Sequence, residues 1–373
     1  MKHAPSEPPV RWAVAGLGHI AQVAVLPAFA HAKRQARLVA LLSDDPKKRR
    51  LLARRHHVEH VGDYDDAAAI FDAAEVDAVY VALPNHLHCA FVTRALAAGI
   101  HVLCEKPMAV TVAECERMIA AARATSRRLM IAYRLHFERA NLAAIERARS
   151  GDLGNVHHVQ AFLTQVVRDS ENIRLGPRRK GGGPLYDLGI YCINAARYVF
   201  RAEPIEVMAW PSRRHARTGS EQRMSAILRF PEDRDLTFTA SFASSPISEM
   251  RIIGTEGDLR VENAFDYTES IRHVLTRGER TERQTFARRD QFAAELVYFS
   301  ACTRNGREPE PSGREGLADV RIIEALYESA DSGRPVRLPP YPLRERPSLR
   351  QAIRRPPVTR PPREIHAKSP SAD

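Results

Sequence analysis

The sequence predicts an α/β protein of two domains, in which a parallel, doubly wound sheet comes first and a mostly antiparallel sheet follows. Its 373 residues are too many for one ordinary domain and suit two. In the first part of the chain, short apolar runs alternate with helical patterns at the spacing of a parallel sheet. After residue 155, four segments alternate apolar and polar residues as antiparallel strands do. They are VHHVQAFLT, SAILRF, LTFTASF and MRIIGT.

Four buried strands, each followed by a helix, are predicted in the first part of the chain. The strands are short and rich in Val, Leu and Ala, as buried parallel strands are. They are predicted at Trp12–Ala15, Leu38–Leu42, Val76–Leu83 and Ile100–Cys104. The helical patterns begin at Val23 and Pro46, cover Phe91–Ala98, and begin again near Thr111. Sheets built in this way bind their ligands at the carboxyl ends of the strands.

The first strand runs directly into a glycine turn, GLGHIA, at residues 16–21. The turn matches the dinucleotide-binding pattern G-x-G-x-x-G/A, with Ala21 in the third place. Gly16 permits the tight turn, and Gly18 lets the backbone approach a pyrophosphate at the helix N-terminus. A simple tight turn is the alternative, so the motif needs support from elsewhere. The cofactor contacts predicted here are Gly16, Leu17, Gly18, His19 and Ile20.

Support comes from polar clusters at the ends of three predicted strands. They are Ser43-Asp44-Asp45, Pro84-Asn85-His86-Leu87-His88 and Glu105-Lys106-Pro107. Because the carboxyl ends of parallel strands meet at one edge of a sheet, these clusters are expected to border one ligand. His86 is more typical of a surface or structural residue than of a catalyst. Cofactor contacts are predicted for Leu83, Pro84, Glu105 and Lys106.

The cluster after the second strand, SDDPKKRR at residues 43–50, bears on which nicotinamide cofactor binds. An acid there would bind a ribose 2′-hydroxyl and favour NAD, whereas a hydroxyl with basic groups would hold the 2′-phosphate of NADP. With Ser43 at the strand tip, and Lys48 or Arg49 closing from the next helix, NADP is favoured and NAD is the alternative. Asp45, which precedes a proline, is also typical of an ordinary helix N-cap.

Composition narrows the class of protein. No stretch approaches the roughly 18 uninterrupted apolar residues of a membrane helix, and the N-terminus lacks the pattern of a secretory signal. The five cysteines have no CxxC spacing and are expected to be reduced thiols in a cytoplasmic protein. No zinc-site spacing is present, and no metal is predicted.

The net charge of +11 raises nucleic acid as a partner, but the location of the charge does not support it. Residues 335–373 hold nine Lys or Arg against three Asp or Glu, and ten of the 25 prolines. Such a composition cannot form long helices and predicts an extended arm or a disordered end, either solvated or wrapped on the protein. There is no aromatic-interleaved basic patch. We therefore expect no nucleic-acid or membrane partner.

A second candidate site lies in KGGGPLYDLGIYCINAARYVF, residues 180–200. The glycines predict a flexible backbone, and the proline suits the first turn of a helix. Asp187, Tyr191 and Asn194 then fall at i, i+4 and i+7 on one face of an otherwise apolar helix. A buried aspartate needs partners and shifts the pKa of its neighbours. The alternative is a helix-terminal acid stabilised by the dipole, with the tyrosine in the core.

Five motifs resemble those of the Gfo/Idh/MocA oxidoreductases, and among them the glucose–fructose oxidoreductase branch. In order they are GLGHIA, PNHLH, CEKP, AYRLHFERAN and GGGPLYDLGIYCINAARYVF, and the resemblance extends from residue 10 to the closing AKSPS. It implies a Rossmann domain over residues 10–130 and an α+β domain with a large, open, mostly antiparallel sheet over 131–334. A Pro/Arg-rich extended tail would follow over 335–373. In the family that sheet commonly forms the oligomer interface, so a homodimer or homotetramer is expected.

The resemblance also implies roles for individual residues. Lys106 would hydrogen-bond the nicotinamide ribose and the reacting oxygen, and Asp187 is the aspartate of the family. Tyr191 stands where many relatives have a histidine as acid/base. Because a tyrosine in water titrates only at about pH 10, it needs a cationic neighbour, which Lys106 would supply. Contacts with cofactor or substrate are further implied for Tyr64, Asn85, His88, Arg134 and Arg174.

The sequence therefore predicts an NAD(P)-dependent oxidoreductase that transfers hydride between nicotinamide and a sugar or related polyol. Glucose, xylose, 1,5-anhydrofructose and dihydrodiol substrates all stay open. A catalytically silent regulator of the same fold, which senses a sugar or nucleotide, is the alternative; the presence of Lys106, Asp187 and Tyr191 argues against it. The chain lacks the export segment and N-terminal arm of a periplasmic member of the branch. A freely exchanging NADP is therefore as good an expectation as a tightly held one.

Overall fold

The computed structural model describes residues 8–212, 220–342, 346–367 and 369–370. Among these, the first sheet has six strands: β1 (Val10–Ala15), β2 (Ala36–Leu42), β3 (His60–Gly62), β4 (Ala78–Val81), β5 (His101–Glu105) and β6 (Leu129–Ala132). All are parallel, in the order β3-β2-β1-β4-β5-β6. This is the doubly wound order of dinucleotide-binding sheets. The fold predicted for the first domain is confirmed.

Helices follow the strands of this sheet, and their N-termini show why they begin where they do. They are α1 (Leu26–Ala32), entered through a π-helical turn at Ala21–Val25, α2 (Pro46–His56), α3 (Ala67–Ala73), α4 (His88–Ala97) and α5 (Val112–Ala124). Asp45 caps α2 by accepting a hydrogen bond from the backbone of Lys48 at 2.8 Å. Thr111 and Glu114 form a capping box at the start of α5.

The second sheet is larger and is built from the later strands. Within the described residues these are β7 (Val156–Val166), β8 (Glu206–Pro211), β9 (Arg223–Phe230), β10 (Arg234–Ser241), β11 (Ala243–Gly254), β12 (Asp258–Glu262), β13 (Ile271–Arg277), β14 (Arg280–Phe286) and β15 (Val336–Arg337). Their order is β14-β13-β12-β11-β7-β10-β9-β8-β15. Only β7 and β10 pair in parallel. The predicted mostly antiparallel sheet is confirmed.

The strands of the second sheet bury one face and expose the other. In β9, Met224 and Leu228 point into the core while Arg223 and Ile227 point outward. This period-two alternation is the one that an antiparallel sheet with one covered face requires. Helix α7, over Ile190–Phe200, packs against the covered face. Helix α6, over Arg139–Arg149, precedes β7 and also packs on α7.

Two long helices complete the second part of the chain, α8 (Gln291–Arg304) and α9 (Gly313–Ser332). Helix α8 returns to the first sheet. The indole of Trp12 in β1 donates a hydrogen bond to Ser300 Oγ at 3.1 Å, and its ring lies 5.7 Å from that of Phe299. Residues from both halves of the chain therefore share the core under the first sheet.

Beyond β15, the described part of the chain has little regular structure. A short 3₁₀ turn spans Leu349–Gln351, and the rest is extended and lies against the protein. Backbone carbonyls of Arg355 and Val358 accept hydrogen bonds from Asp290 N and from the Arg288 guanidinium. Of the two alternatives for the tail, these contacts favour the arm wrapped on the protein. No described helix is long and apolar enough to cross a membrane.

Candidate active site

A cavity of about 1350 Å³ lies between the carboxyl edge of the first sheet and the start of α7. It exceeds the roughly 300–1,000 Å³ of an ordinary small-molecule pocket, as a site for a dinucleotide together with a substrate requires. All but one of the predicted site residues line it. They are Gly16, Leu17, Gly18, His19, Ile20, Ser43, Lys48, Tyr64, Leu83, Pro84, Asn85, Glu105, Lys106, Arg134, Arg174, Asp187 and Tyr191.

The glycine turn has the shape that a pyrophosphate needs. Gly16 has φ of +91°, and a Cβ there would overlap the carbonyl of Ala82 at the end of β4. Only glycine fits at that position. Gly18 borders the cavity, and a Cβ built on it would meet nothing within 4 Å. Its backbone thus faces open space beside the following helix, so these residues fit a dinucleotide phosphate.

Residues after β2 and β3 border the end of the cavity where the sequence predicts the adenosine. Ser43, Asp44, Lys48 and Tyr64 border it. Arg49, the other basic residue weighed from the sequence, instead donates a hydrogen bond to the backbone carbonyl of Ser43 at 2.8 Å. Of the two, Lys48 is therefore the cation that faces the cavity, and Arg49 supports the strand tip.

At the opposite end, Asp187 lies between two cations. Lys106 Nζ donates to Asp187 Oδ1 at 3.1 Å and to its backbone carbonyl at 3.0 Å, and Arg174 Nε donates to Oδ2 at 2.8 Å. Burial alone would raise the pKa of the Asp187 carboxyl, but the charges and hydrogen bonds of Lys106 and Arg174 hold that pKa well below its usual range. Asp187 is therefore an anion that orients both cations.

Lys106 keeps its charge in this setting. Burial alone would lower the pKa of its ammonium group, but Tyr191, Asp187 and Glu105 outweigh burial and raise that pKa. Glu105 Oε1 accepts a hydrogen bond from the buried Tyr80 hydroxyl at 2.8 Å, and burial raises the pKa of the Glu105 carboxyl. A fixed positive charge thus borders the cavity at the end of β5.

Tyr191 lies between two cations as well. Lys106 Nζ is 4.7 Å from the centroid of its ring, and the Arg134 guanidinium carbon is 5.0 Å from it. Both distances are within the range of cation–π contacts. Two fixed positive charges therefore lie beside the Tyr191 ring where it borders the cavity.

Arg134 is itself held rigidly by residues that the sequence analysis did not identify. The Arg134 guanidinium donates to the side chain of Gln291 and to the backbone carbonyl of Phe265, the latter at 2.6 Å. It also stacks on Tyr267, with 5.2 Å between the guanidinium carbon and the ring centroid. The loop that supplies this wall, residues 265–268, borders the cavity. Nothing in its sequence resembles a site motif, because its position depends on the pairing of β12 with β13.

The glycine run before Asp187 is close-packed. A Cβ on Gly181 would come within 2.6 Å of Asn85, and one on Gly182 would overlap the carbonyl of Gly176. The three glycines are buried, so the flexible backbone predicted from them is corrected. They allow the loop to lie directly on the Asn85 turn, whose side-chain amide donates to the Gly181 carbonyl at 2.8 Å.

The helix after this loop begins with an irregular turn. As a result, the three residues predicted to lie on one face of the helix do not all reach the cavity. Residues Leu185–Gly189 form a π-helical turn, after which α7 is regular. Asp187 and Tyr191 both reach the cavity, but Asn194 does not. The Asn194 amide donates instead to Asp319 Oδ2 at 2.8 Å, in a buried cluster behind α7. Two of the three residues predicted to share a face therefore share the site.

The structure does not bring His88 to the cavity. The ring is fully buried, with Nε2 2.9 Å from the Leu83 carbonyl and Nδ1 3.0 Å from the Pro107 carbonyl. Both ring nitrogens are occupied by backbone, so His88 braces two cavity loops against each other from behind. The first four residues of the polar cluster after β4, Pro84 to Leu87, border the cavity, but its second histidine points the other way.

A dinucleotide-binding sheet, joined to a lysine, an aspartate and a tyrosine across one cavity, defines the class of NAD(P)-dependent oxidoreductases. The family model "Oxidoreductase family, NAD-binding Rossmann fold" matches residues 10–133. The model of the GFO/IDH/MocA C-terminal domain matches residues 142–260. The chain belongs to the Gfo/Idh/MocA oxidoreductases. The family and the class of reaction predicted from the sequence are confirmed.

Three relatives are similar to the chain over most of their length. The D-xylose 1-dehydrogenase (NADP(+)) of Haloarcula marismortui is 31% identical over 88% of this chain and 93% of that protein. The structure of an aldose–aldose oxidoreductase from Caulobacter crescentus, complexed with glycerol, is 37% identical over 88% of this chain and 100% of that one, with a TM-score of 0.83. That of KijD10, a 3-ketoreductase from Actinomadura kijaniata with TDP-benzene and NADP, is 25% identical over 86% and 98%, with a TM-score of 0.78.

Proposed function

We propose that the protein oxidises the C1 hydroxyl of an aldose to the lactone and passes the hydride to NADP⁺. The single observation that carries this is the arrangement of Lys106, Asp187 and Tyr191 at the end of the cavity opposite Ser43 and Lys48. The sugar is inferred from relatives, which include a D-xylose 1-dehydrogenase and an aldose–aldose oxidoreductase. The charged side chains of Lys106, Arg174 and Asp187, which line the cavity, can hydrogen-bond the hydroxyl groups of a sugar.

NADP is proposed over NAD because of the groups at the adenosine end. Ser43 offers a hydroxyl at the strand tip, and Lys48 faces the same space. A hydroxyl with a cation fits a 2′-phosphate. Asp45 is the N-cap of α2, where its carboxylate accepts a backbone hydrogen bond, although Asp44 borders the cavity. The NADP named for the xylose dehydrogenase and for the ketoreductase agrees with this proposal.

The nicotinamide supplies a carbon that accepts hydride when the cofactor is bound. The residues of the chain then have three tasks. Tyr191 takes the proton from the C1 hydroxyl, and Lys106 stabilises the negative charge that develops on the same oxygen. Asp187 fixes Lys106 and keeps its ammonium directed at the cavity. In the reverse direction, the same proton returns from Tyr191 to the carbonyl oxygen.

We propose that the parts of the chain have separate roles. The first domain, residues 10–130, holds the cofactor, and the second, residues 131–334, forms the substrate-binding side of the site. Residues 335–373 form the tail. Lys106 and Glu105 come from the first unit, and Asp187 and Tyr191 from the second. The active site is assembled where the two units meet.

A homo-oligomer through the open face of the second sheet is also proposed. Trp210 in β8 and Ile227 in β9 are 47% and 39% exposed on that face. Met208, which is opposite Ile227 in the sheet, extends the same apolar strip. Large exposed apolar groups on a sheet face are typical of a protein–protein contact.

We propose that the protein is located in the cytoplasm. This location is supported by the five cysteines, all of which are buried and unpaired. Buried, unpaired thiols suit a reducing compartment.

The experiment that tests the function is a near-ultraviolet assay for reduced nicotinamide. The purified protein is mixed with NADP⁺ or NAD⁺ and a panel of aldoses. A rise in absorbance with an aldose and NADP⁺ is expected, and a smaller rate with NAD⁺. Cofactor binding without any reduction across the panel would instead support the regulator.

A further inference from the structure

The C-terminal strap, residues 363–367 with 369–370, lies on the cofactor side of the first domain. Ser369 and Pro370 border the same cavity as the glycine turn and Lys48. The side chain of Ile365 packs against the core of the first domain. The strap is about 340 residues distant in sequence from the turn it touches, so its position is a product of folding.

Gln22 fixes the strap to the glycine turn. Its side chain is fully buried. Nε2 donates to the Leu17 carbonyl at 2.8 Å and to the Ile365 carbonyl at 2.9 Å, and Oε1 accepts from Ile365 N at 2.8 Å. One amide thus binds the backbone of the turn and both backbone groups of Ile365. Because a buried amide without partners is costly, this contact favours a docked strap.

Two histidine–carboxylate contacts spread the strap across the adenosine half of the site. Glu364 Oε2 is 2.9 Å from His19 Nδ1, within the glycine turn. His366 Nδ1 is 2.8 Å from Asp45 Oδ2, at the N-cap of α2. The Arg55 guanidinium, on α2, donates to the Arg363 carbonyl at 2.9 Å. The strap therefore bridges the turn that would hold the pyrophosphate and the cluster that would hold the adenosine ribose.

The strap is a wall of the cavity and does not fill it. With the strap docked, a space of about 1350 Å³ remains between the glycine turn and Tyr191. The predicted cofactor contacts at the adenosine end, Ser43, Lys48 and Tyr64, still border that space. A dinucleotide in it would lie between the sheet edge and the strap.

We propose that the C-terminal strap is part of the cofactor site: it closes over the adenosine half of bound NADP(H) and slows its release. This inference rests on the proposed function, since it takes NADP(H) as the ligand. The dinucleotide leaves only after contacts of Gln22, His19 and Asp45 with the strap have opened. The strap residues hold the cofactor and take no part in hydride transfer.

The test measures NADPH release directly, without any sugar. The protein is loaded with NADPH and mixed rapidly with excess NADP⁺, and the loss of bound NADPH fluorescence gives the rate constant of release. A truncation after Pro362 is compared with the full chain. A second variant, Glu364→Ala with His366→Ala, keeps the backbone and the Gln22 contact. The matched control is Arg350→Ala with Arg360→Ala, two exposed arginines elsewhere in the tail.

Release is expected to become at least about tenfold faster in the truncation and in the strap variant, the equivalent of roughly one lost net hydrogen bond. The control should release NADPH at the rate of the full chain. If the full chain, the truncation, the strap variant and the control all release NADPH at equal rates, the proposed role of the strap is wrong. Slower release after truncation would contradict it as well. Either result would leave the proposed function intact. A full chain that does not bind NADPH would overturn both.

Discussion

Lys106 and Tyr191 come from different halves of the chain, yet the Lys106 ammonium lies 4.7 Å from the centroid of the Tyr191 ring. Lys106 follows β5 of the first sheet, and Tyr191 is in the first turn of α7. Asp187 joins them, because it binds Lys106 and precedes Tyr191 by one helical turn. The pair exists only when the two halves are packed together, so the proposed chemistry would take place at their boundary.

Tyr191→Phe should lower kcat by about 10²–10⁴-fold, because the proton acceptor is removed. The ring would keep its place between Lys106 and Arg134, so NADPH affinity should change little. Steady-state kinetics and NADPH titration measure the two effects. Tyr186→Phe is the matched control: that hydroxyl bonds the Val110 carbonyl away from the cavity. Equal kcat values for Tyr191→Phe and the wild type would remove Tyr191 from the mechanism.

Lys106→Met should lower kcat by about 10²–10³-fold, the usual cost of one transition-state charge donor. Methionine keeps the length of the side chain but not its charge. NADPH should still bind, because the glycine turn and Ser43 are untouched. Stopped-flow reduction of bound NADP⁺ by an aldose measures the chemical step alone. An unchanged rate of reduction would contradict the role given to Lys106.

Asp187→Asn should destabilise the fold by a similar amount at about pH 5 and at about pH 7.5. Because Lys106 and Arg174 outweigh burial, the pKa of Asp187 is well below its usual range. A depressed carboxyl pKa contributes stability that is lost only as the pH falls through the folded-state value. The carboxyl is thus ionised at both pH values. Denaturant unfolding measures the difference, and a penalty that vanishes at the lower pH would contradict this ionisation.

Glu315→Gln should flatten the dependence of stability on pH. Glu315 is buried beside Arg197 and Asp319, and burial raises its pKa to about 7. An acid with a raised folded-state pKa binds its proton more tightly in the native state. Its contribution to stability is present at low pH and is lost as the pH rises from about 4.3 toward the folded-state value. The wild type should therefore lose stability over this window.

Denaturation midpoints at several pH values, from about 4.3 to the folded-state pKa of Glu315 of about 7, test the Glu315 prediction. The matched control is Glu328→Gln, an exposed carboxylate on the same helix. It should keep the wild-type slope. If Glu315→Gln also keeps that slope, the buried cluster does not carry the proton.

Trp210→Glu combined with Ile227→Glu should reduce the oligomeric state. Both side chains are exposed on the open sheet face, and a carboxylate in an apolar contact is costly to desolvate. Light scattering after size exclusion gives the mass of the particle. An exposed control on the edge strand β14, Arg283→Glu, should leave the mass unchanged. A monomeric wild type, or a double variant of unchanged mass, would exclude this interface.

Much of the first domain could be predicted because its signals are local. Gly16 and Gly18 lie in one turn, and the polar clusters that follow β2, β4 and β5 interrupt otherwise apolar runs. Period alone located four strands of the second sheet, β7, β9, β10 and β11, and not the other five that the structure describes. The three-residue strand β3, over His60–Gly62, was missed because so short a run has no period. The four-residue strand β6, over Leu129–Ala132, was missed as well.

The rest depended on contacts between distant residues. Nothing local distinguishes a histidine that faces a ligand from His88, whose two ring nitrogens each lie near a backbone carbonyl. The run of glycines around Gly182 predicts a flexible backbone, but these glycines allow the close approach of another backbone. Tyr267 and the strap anchor Gln22 gave no signal, since each acts through a partner far away in the sequence.

The most direct test of the proposed chemistry follows one hydrogen atom. The protein is incubated with NADP⁺ and an aldose deuterated at C1, and the reduced cofactor is analysed by mass spectrometry. NADPH that carries one deuterium is expected, because the hydride leaves C1 as the lactone forms. Reduced cofactor without deuterium, or bound NADP⁺ that no deuterated aldose reduces, would contradict the transfer of hydride from sugar C1.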